Sequence, residues 1–152
     1  DYEKNAILAL SSIYGVDILL DNAIACRERL FAIWDKEYKS VCEKECRYDT
    51  RESARFILSR NIVCGNALTL MCVDENCNDT AEPIVFSEWA FITGTQMQRK
   101  DYTFDELLKA ADQTAKIART GQMSLLANED GEIEPTFLKQ YISDYRRVQD
   151  NG

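Results

Sequence analysis

The distribution of the cysteines is the feature that most constrains what this chain can fold into. All of them lie in the N-terminal half, and residues 78–152 contain none. An even number of cysteines in a small chain is typical of compartments in which thiols oxidise. The pattern predicts that residues 26–77 are braced by disulfide bonds and that the protein is secreted or periplasmic. The cysteines concerned are Cys26, Cys42, Cys46, Cys64, Cys72 and Cys77.

The chain contains no histidine, and this removes much of the common catalytic repertoire. Without an imidazole there is no ordinary Ser/His or Cys/His nucleophile pair and no His-ligated metal. We therefore expect no catalytic residues, no cofactor and no metal ligands, and a protein that is not an enzyme. A four-thiolate zinc site is the rival interpretation, because the pairs Cys42/Cys46 and Cys72/Cys77 have a permissible spacing.

Length and composition favour a helical domain. The chain has 152 residues, about the size of one domain, and no linker or internal repeat divides it. Hydrophobic residues make up 45% of the sequence, and only two prolines and six glycines interrupt regular structure. We therefore expect a single helical domain that spans residues 1–152.

The charge of the chain narrows the choice of partners. The formal net charge is −8, from 18 basic and 26 acidic residues, and the basic residues are dispersed among acidic ones. Such a surface does not attract nucleic acid. The longest apolar candidate, residues 6–25, is interrupted by Asp17 and Asp21, so we expect no membrane span. The acidity favours another protein, with a basic surface, as the partner.

Apolar residues recur at helical spacing over most of the chain, which predicts an all-α, single-domain bundle of about six helices. Alternation with a period of two, the sign of a strand, is confined to short stretches such as residues 61–63. The predicted helices cover about residues 3–22, 22–45, 50–72, 84–98 and 103–119 and a last segment that opens at Pro135. Their predicted capping residues are Asp21 or Asn22, Asp49 or Thr50, and Thr103 with Glu106.

The second and third predicted helices would form an antiparallel hairpin about a turn near residue 49. Positions that sum to about 98 then lie side by side, so Cys26 faces Cys72. We expect this disulfide bond, while the partners of the other four cysteines stay open. The same geometry puts the two close cysteine pairs at opposite ends of the hairpin, which disfavours the zinc site.

Polar loops carry the predicted contact and modification sites. The triplet Asn78-Asp79-Thr80 fits the acceptor pattern for N-glycosylation, with Asn78 as the modified residue. The loops at residues 74–82 and 128–134 hold acidic side chains where a partner would reach them. The predicted partner-binding residues are Asp74, Glu75, Asp79, Glu82, Glu129 and Asp130.

Aromatic residues in apolar segments predict a cavity for a small apolar ligand. Glu88 lies within the most apolar of these segments, where burial would raise the pKa of its carboxyl group. Paired with Asp101 or Asp105, it would suit a hydrolase that works through two carboxylates. The predicted cavity-lining residues are Trp34, Phe86, Trp89 and Phe91.

These features together predict a disulfide-stabilised helical protein that acts by recognising another protein. An inhibitor, an immunity-type protein and a signalling ligand all fit, because a rigid acidic scaffold without nucleophile, metal cluster or cofactor loop has little left except recognition. The first alternative is a carrier of a small apolar ligand in a helical cavity. The second is a carboxylate-dependent hydrolase.

Overall fold

The structure, a computed structural model, describes residues 1–120 and 135–152. Within these ranges the chain is a mixed α/β fold with four α-helices and seven strands in three sheets, so the predicted all-α bundle is wrong. In chain order the elements are α1 (Tyr2–Ser11), β1 (Gly15–Asp17), α2 (Leu20–Cys42), α3 (Tyr48–Asn61), β2 (Ile62–Cys64), β3 (Met71–Val73), β4 (Asp79–Pro83), β5 (Val85–Thr93), β6 (Gln96–Thr103), α4 (Phe104–Thr120) and β7 (Lys139–Asp144).

The first predicted helix, residues 3–22, is divided by a short strand. α1 ends at Ser11, and β1 then pairs in parallel with β2, with Gly15 opposite Ile62. Gly15 disfavours a helix interior, and the β-branched Val16 favours extended backbone. The apolar spacing of this segment is helical, but pairing with a strand far along the chain decides its conformation.

The second predicted helix is confirmed as α2, with a different start. Asp21 and Asn22 lie inside its first turn and do not cap it. The carboxylate of Asp17 accepts the backbone N–H of Leu19 at 2.8 Å and the side-chain amide of Asn22 at 3.3 Å. The acid that stabilises the helix start therefore comes from β1, outside the helix.

The third predicted helix is confirmed only in its first part. α3 begins at Tyr48 after the N-cap residue Arg47, so Asp49 and Thr50 lie within its first turn. It ends at Asn61, well short of residue 72, because residues 62–64 form β2 and pair with β1. The long hairpin that would have aligned residue 26 with residue 72 does not form.

The predicted disulfide framework of residues 26–77 is also wrong. Cys26 lies on α2, whereas Cys72 lies on β3 and its thiol donates to the carbonyl oxygen of Pro83 at 3.5 Å. The secreted or periplasmic compartment stays a prediction, and the cysteines no longer support it. The free thiols are Cys26, Cys42, Cys46, Cys64, Cys72 and Cys77.

The predicted central helix, residues 84–98, is instead a β-hairpin. β5 and β6 pair antiparallel, with Trp89 opposite Arg99, and the chain turns at Gly94, whose φ is +54°. Buried Ser87 and Trp89 alternate with exposed Glu88 along β5. A segment that is apolar on almost every side gives no clear period, so helix and strand are hard to distinguish from its sequence.

The start of α4 is confirmed, but the last predicted helix is wrong. The Thr103 hydroxyl accepts the backbone N–H of Glu106 at 3.2 Å, as expected for a capping box. Residues 139–144, after Pro135, form β7, which pairs antiparallel with β6 and sets Tyr141 opposite Arg99. The backbone groups along the second edge of β6 supply hydrogen-bond partners for this segment.

The core lies between α1, α3 and one face of the β5–β6–β7 sheet. Because side chains alternate along a strand, Trp89 and Met97 face this core while Phe86 lies on the opposite face of the sheet. The second face therefore remains for Tyr14 and the start of α4 to contact. The buried core cluster comprises Ile7, Leu10, Ala54, Ile57, Leu58, Ile62, Trp89, Met97, Tyr145 and Val148.

Candidate functional site

An apolar pocket of about 500 Å³ lies on the second face of the sheet, where β1, β5 and the start of α4 meet. Segments that are distant in sequence form its walls. We call it the Tyr14 pocket. Its lining residues are Tyr14, Gly15, Val16, Ala67, Phe86, Ser87, Glu88, Phe104 and Leu107.

Three aromatic rings form a connected wall of the Tyr14 pocket. The ring of Phe86 meets Tyr14 edge to face at a centroid distance of 5.5 Å and meets Phe104 at 5.2 Å. Such edge-to-face pairs are favourable beyond the area that they bury. Phe86 is itself buried, so this wall is a fixed part of the fold.

The hydroxyl of Tyr14 is held by the protein. It donates to the backbone carbonyl oxygen of Ser87 at 2.7 Å. Burial, with a smaller contribution from the nearby Glu88 carboxylate, raises the pKa of Tyr14 to about 12. Tyr14 is therefore a neutral phenol at neutral pH, and its hydroxyl group already donates a hydrogen bond within the protein.

Glu88 is the charged side chain among the described residues that line the Tyr14 pocket. It is exposed, and within residues 1–120 and 135–152 its carboxylate makes no hydrogen bond or ion pair. Lys100 lies opposite it in the register of β5 and β6, but the Lys100 ammonium sits 5.0 Å from the ring centroid of Phe137. The Glu88 carboxylate is thus open to solvent at the pocket.

Asp101, on the core face of the sheet, belongs to a buried polar network. The guanidinium of Arg99 donates to its two carboxylate oxygens at 2.9 and 3.0 Å, and the Ser87 hydroxyl donates to it at 2.6 Å. Burial alone would raise the pKa of Asp101, but these hydrogen bonds and the charge of Arg60 hold it below the ordinary value. The carboxylate is saturated with donors and stays ionised.

Of the carboxylates predicted for a hydrolase, Glu88 and Asp101 do not lie together. Glu88 and Asp101 are on opposite faces of the sheet, because one faces solvent and the other faces the core. Asp105 lies on α4 and forms an ion pair with Lys109 at 2.8 Å. Paired-carboxylate chemistry needs two acids at the same substrate. Glu88 and Asp101 therefore do not form such a pair.

Of the four predicted cavity-lining residues, Phe86 lines the Tyr14 pocket. Trp34 donates its indole N–H to the carbonyl oxygen of Ala6 at 3.0 Å and packs against the core. Trp89 is a core residue whose indole donates to Asn61, and Phe91 also packs against the core. A signal for the missed wall was present at Tyr14-Gly15-Val16, since a glycine between aromatic and β-branched residues breaks the helical pattern.

A second concave surface lies where β1 joins α2, and it encloses about 410 Å³. Three consecutive apolar residues on its wall, Ile18, Leu19 and Leu20, are 42%, 48% and 55% exposed. Asp21, Asp74 and Glu75 place carboxylates around them. We call this surface the Leu20 groove. Its lining residues are Ile18, Leu19, Leu20, Asp21, Cys64, Val73, Asp74, Glu75 and Cys77.

Two thiols of the Leu20 groove share one acceptor. The sulfur atoms of Cys64 and Cys77 donate to the carbonyl oxygen of Ile18 at 3.5 and 3.7 Å. Burial raises the pKa of Cys64, and the neighbouring Cys77 and Asp17 add to the effect. The Cys64 thiol therefore stays protonated at neutral pH and is a poor nucleophile.

Four of the predicted partner-binding acids fall within the described ranges. Asp74 and Glu75 line the Leu20 groove, Asp79 accepts a hydrogen bond from the side chain of Asn66 at 3.2 Å, and Glu82 is exposed on β4. Glu129, Asp130 and the rest of the predicted 128–134 loop lie outside the described residues.

Asn78, the predicted glycosylation acceptor, is exposed in the turn between β3 and β4. Its backbone N–H donates to the Asp74 carboxylate at 3.0 Å, which fixes the turn. The hydroxyl of Thr80 donates to the carbonyl oxygen of Cys72 at 2.9 Å. Exposure is what an acceptor requires, and its glycosylation stays a prediction.

In residues 1–120 and 135–152, no group of three or more cysteine, aspartate or glutamate side chains is placed to hold a metal ion. The same parts of the chain contain no helix with the length and apolar character needed to cross a bilayer. Comparison of the chain with protein-family models, with curated proteins and with solved structures gave no match.

Proposed function

We propose that this protein binds a small apolar molecule in the Tyr14 pocket. The observation that carries the proposal is an aromatic-walled pocket of about 500 Å³ in which one side chain, Glu88, is charged among the described residues. Sites for small molecules are typically concave, largely apolar and equipped with a few polar groups. This corresponds to the predicted carrier of an apolar ligand, with a different set of lining residues.

The size of the pocket supports a ligand of one or two rings. Burial of about 200 Å² of apolar ligand surface would contribute about 5 kcal/mol before the cost of immobilising the ligand. The wall formed by Tyr14, Phe86 and Phe104 suits aromatic or aliphatic ligands with little polar surface. We therefore expect dissociation constants in the micromolar to millimolar range for simple probes.

The test uses the neutral fluorescent probe N-phenyl-naphthylamine and a variant that fills the pocket. Ala67 lines the pocket in an exposed turn, so A67F places a ring in the cavity without disturbing the core. We expect A67F to weaken binding at least about tenfold. The matched control is L68F, because Leu68 is the next residue of the same turn, is 95% exposed and does not line the pocket.

Probe fluorescence and circular dichroism decide the outcome. L68F should bind like the unmodified protein, and both variants should keep its circular dichroism spectrum. Equal binding by A67F, L68F and the unmodified protein would show that the probe does not enter the Tyr14 pocket, and the proposal would fail.

Recognition of a basic protein segment at the Leu20 groove is the second candidate function. The observation that favours it is the exposure of Ile18, Leu19 and Leu20, three adjacent apolar residues bordered by acids. An amphipathic segment with apolar anchors and lysine or arginine residues would complement this surface. The candidate retains the predicted protein partner and the predicted roles of Asp74 and Glu75.

A designed amphipathic peptide of leucine and lysine tests this second candidate by fluorescence anisotropy. We expect L20S to weaken binding about fivefold, since Leu20 is an exposed apolar residue of the groove. I33S is the matched control, because Ile33 lies on the same helix, is 70% exposed and does not line the groove. Equal weakening by L20S and I33S would indicate unspecific adhesion and reject the groove as the site.

A further inference from the structure

The polar groups of the Tyr14 pocket are unequal in what they can still bind. The hydroxyl of Tyr14 already donates to the Ser87 carbonyl oxygen, and the buried hydroxyl of Ser87 points to the core face of the sheet, where it donates to the Asp101 carboxylate. The carboxylate of Glu88 makes no hydrogen bond or ion pair with the described residues. The side-chain group left for a ligand is therefore an acceptor with a negative charge.

We propose that the pocket selects ligands that join an apolar body to a cationic group, and that Glu88 is the counter-ion. This inference rests on the proposed function, since it names the ligand class of the same site. The apolar body packs against the wall of Tyr14, Phe86 and Phe104, and the cation lies at the mouth beside Glu88. A protonated amine is the simplest such group.

The charge of Glu88 acts on Tyr14, which forms part of the pocket wall. Its carboxylate contributes, after burial, to the raised pKa of Tyr14, so the two side chains are electrostatically coupled. The aromatic rings add to this field, because the faces of aromatic rings attract cations. No lysine or arginine is among the described lining residues, so a cation meets no like charge there.

Lys100 is the internal competitor for Glu88. The two residues are direct partners in the register of β5 and β6, a position from which opposite charges commonly pair. The Lys100 ammonium instead lies 5.0 Å from the ring centroid of Phe137. Lys100 and Glu88 form no ion pair within 4.0 Å. Glu88 is thus available to an outside cation.

Anionic ligands are disfavoured by the same features. A carboxylate or phosphate group would meet Glu88 without a free side-chain donor among the described lining residues. The formal net charge of −8 adds long-range repulsion at low ionic strength. The pocket therefore differs from a site for fatty acids, in which a basic group commonly faces the ligand carboxylate.

The experiment compares three probes that share a naphthalene ring: naphthylethylamine, naphthylethanol and naphthylacetate. Dissociation constants are measured by calorimetry at low ionic strength and neutral pH. We expect the amine to bind about fivefold tighter than the alcohol, and the acetate to bind weakest. Added salt should weaken the binding of the amine and leave the binding of the alcohol nearly unchanged.

The variant E88Q removes the negative charge of Glu88 and so tests its role as counter-ion. This variant should bind the amine about fivefold more weakly than the unmodified protein does, and its affinity for the alcohol should change by less than about twofold. The matched control is E82Q, because Glu82 is an exposed acid on β4 that does not line the pocket, and its substitution changes the net charge equally. E82Q should bind all three probes like the unmodified protein.

The outcomes separate this inference from the proposed function. If A67F abolishes binding of the amine and the alcohol but both bind equally well to the unmodified protein, the pocket stands and cation selection is rejected. If E88Q and E82Q weaken the binding of the amine equally, cation selection by Glu88 is also rejected, since net charge would then be the cause. If A67F leaves the binding of every probe unchanged, the proposed function fails as well.

Discussion

At the scale of single residues, Glu3 is the acid that connects the two ends of the chain. It is 6% exposed, and its carboxylate accepts hydrogen bonds from the hydroxyls of Tyr38 and Tyr145, each at 2.6 Å. Arg146 adds an ion pair at 2.6 Å. One side chain of α1 thereby holds α2 and the segment after β7 in place.

Substitution of Glu3 by glutamine should destabilise the protein. E3Q removes the charge that Arg146 faces in a buried site, so we expect a loss of about 2–4 kcal/mol in the free energy of unfolding. Urea denaturation monitored by tryptophan fluorescence measures the loss. E37Q is the control, since Glu37 is exposed on α2 and its variant should remain within about 0.5 kcal/mol of the unmodified protein.

The pH dependence of stability follows from the same site. Burial alone would raise the pKa of Glu3, but the hydrogen bonds from Tyr145, Tyr38 and Arg146 outweigh it and hold the pKa below the ordinary 4.5. The contribution of the ionised group is therefore complete above the unfolded-state pKa and is lost as the pH falls through the folded-state pKa. E3Q should lose less stability than the unmodified protein between about pH 5 and about pH 3. Parallel losses in the two proteins would contradict this assignment.

At the scale of elements, the close packing of the residue after β2 against Ile84, which precedes β5, depends on Gly65. Its backbone N–H donates to the carbonyl oxygen of Asp17 at 2.9 Å and extends the β1–β2 pairing. A Cβ atom at this position would lie 2.6 Å from Cδ1 and 2.7 Å from Cγ1 of Ile84. Ile84 is buried, so its side chain cannot move aside into solvent.

The variant G65A should therefore destabilise the protein by about 2 kcal/mol through overpacking. Thermal and urea denaturation measure the change. In the background of I84V, which removes the nearest methyl group, the cost of G65A should be smaller but not zero, because Cγ1 remains close. Equal costs in the two backgrounds would show that Ile84 is not the cause.

G94A provides a contrast on the β5–β6 turn. Gly94 has a φ of +54°, and a Cβ atom there would meet no heavy atom within 4 Å. Its substitution should cost about 1 kcal/mol from backbone strain alone. The cost should not depend on I84V, and a strong dependence would place the strain elsewhere.

At the scale of the whole molecule, the six thiols are spread over α2, β2, β3 and two connecting segments and are not cross-linked. Stability then comes from packing and from hydrogen bonds such as those of Glu3 and Asp101. The cysteines of the Leu20 groove contribute hydrogen bonds to the carbonyl oxygen of Ile18, which do not require oxidation.

We therefore expect the urea midpoint of the protein to be the same with and without a reducing agent. Thiol titration of the denatured protein should count six free thiols without prior reduction. A midpoint that falls when reductant is added, together with fewer titratable thiols, would contradict the free-thiol state. An alkylated sample in denaturant gives the reference for complete labelling.

The sequence by itself determined the features that depend on neighbouring residues. The spacing of α2 and the Thr103 cap of α4 were predictable, because helix faces and caps are set within a few residues. The absence of histidine and the acidic net charge were likewise readable from the sequence. Of the candidate site, Phe86 and Glu88 were identified, although their roles were assigned to a helix.

The tertiary structure alone decided the features that depend on distant partners. Residues 85–93 and 139–144 are strands because each of them pairs with β6, and an apolar segment without a clear period does not reveal such pairing. Cys26 does not face Cys72, because α3 ends where β2 pairs with β1. The Tyr14 pocket exists because Tyr14, Phe86 and Phe104, which are far apart in sequence, come into contact on one face of a sheet. Contacts of this kind are set by long-range packing, which no local pattern encodes.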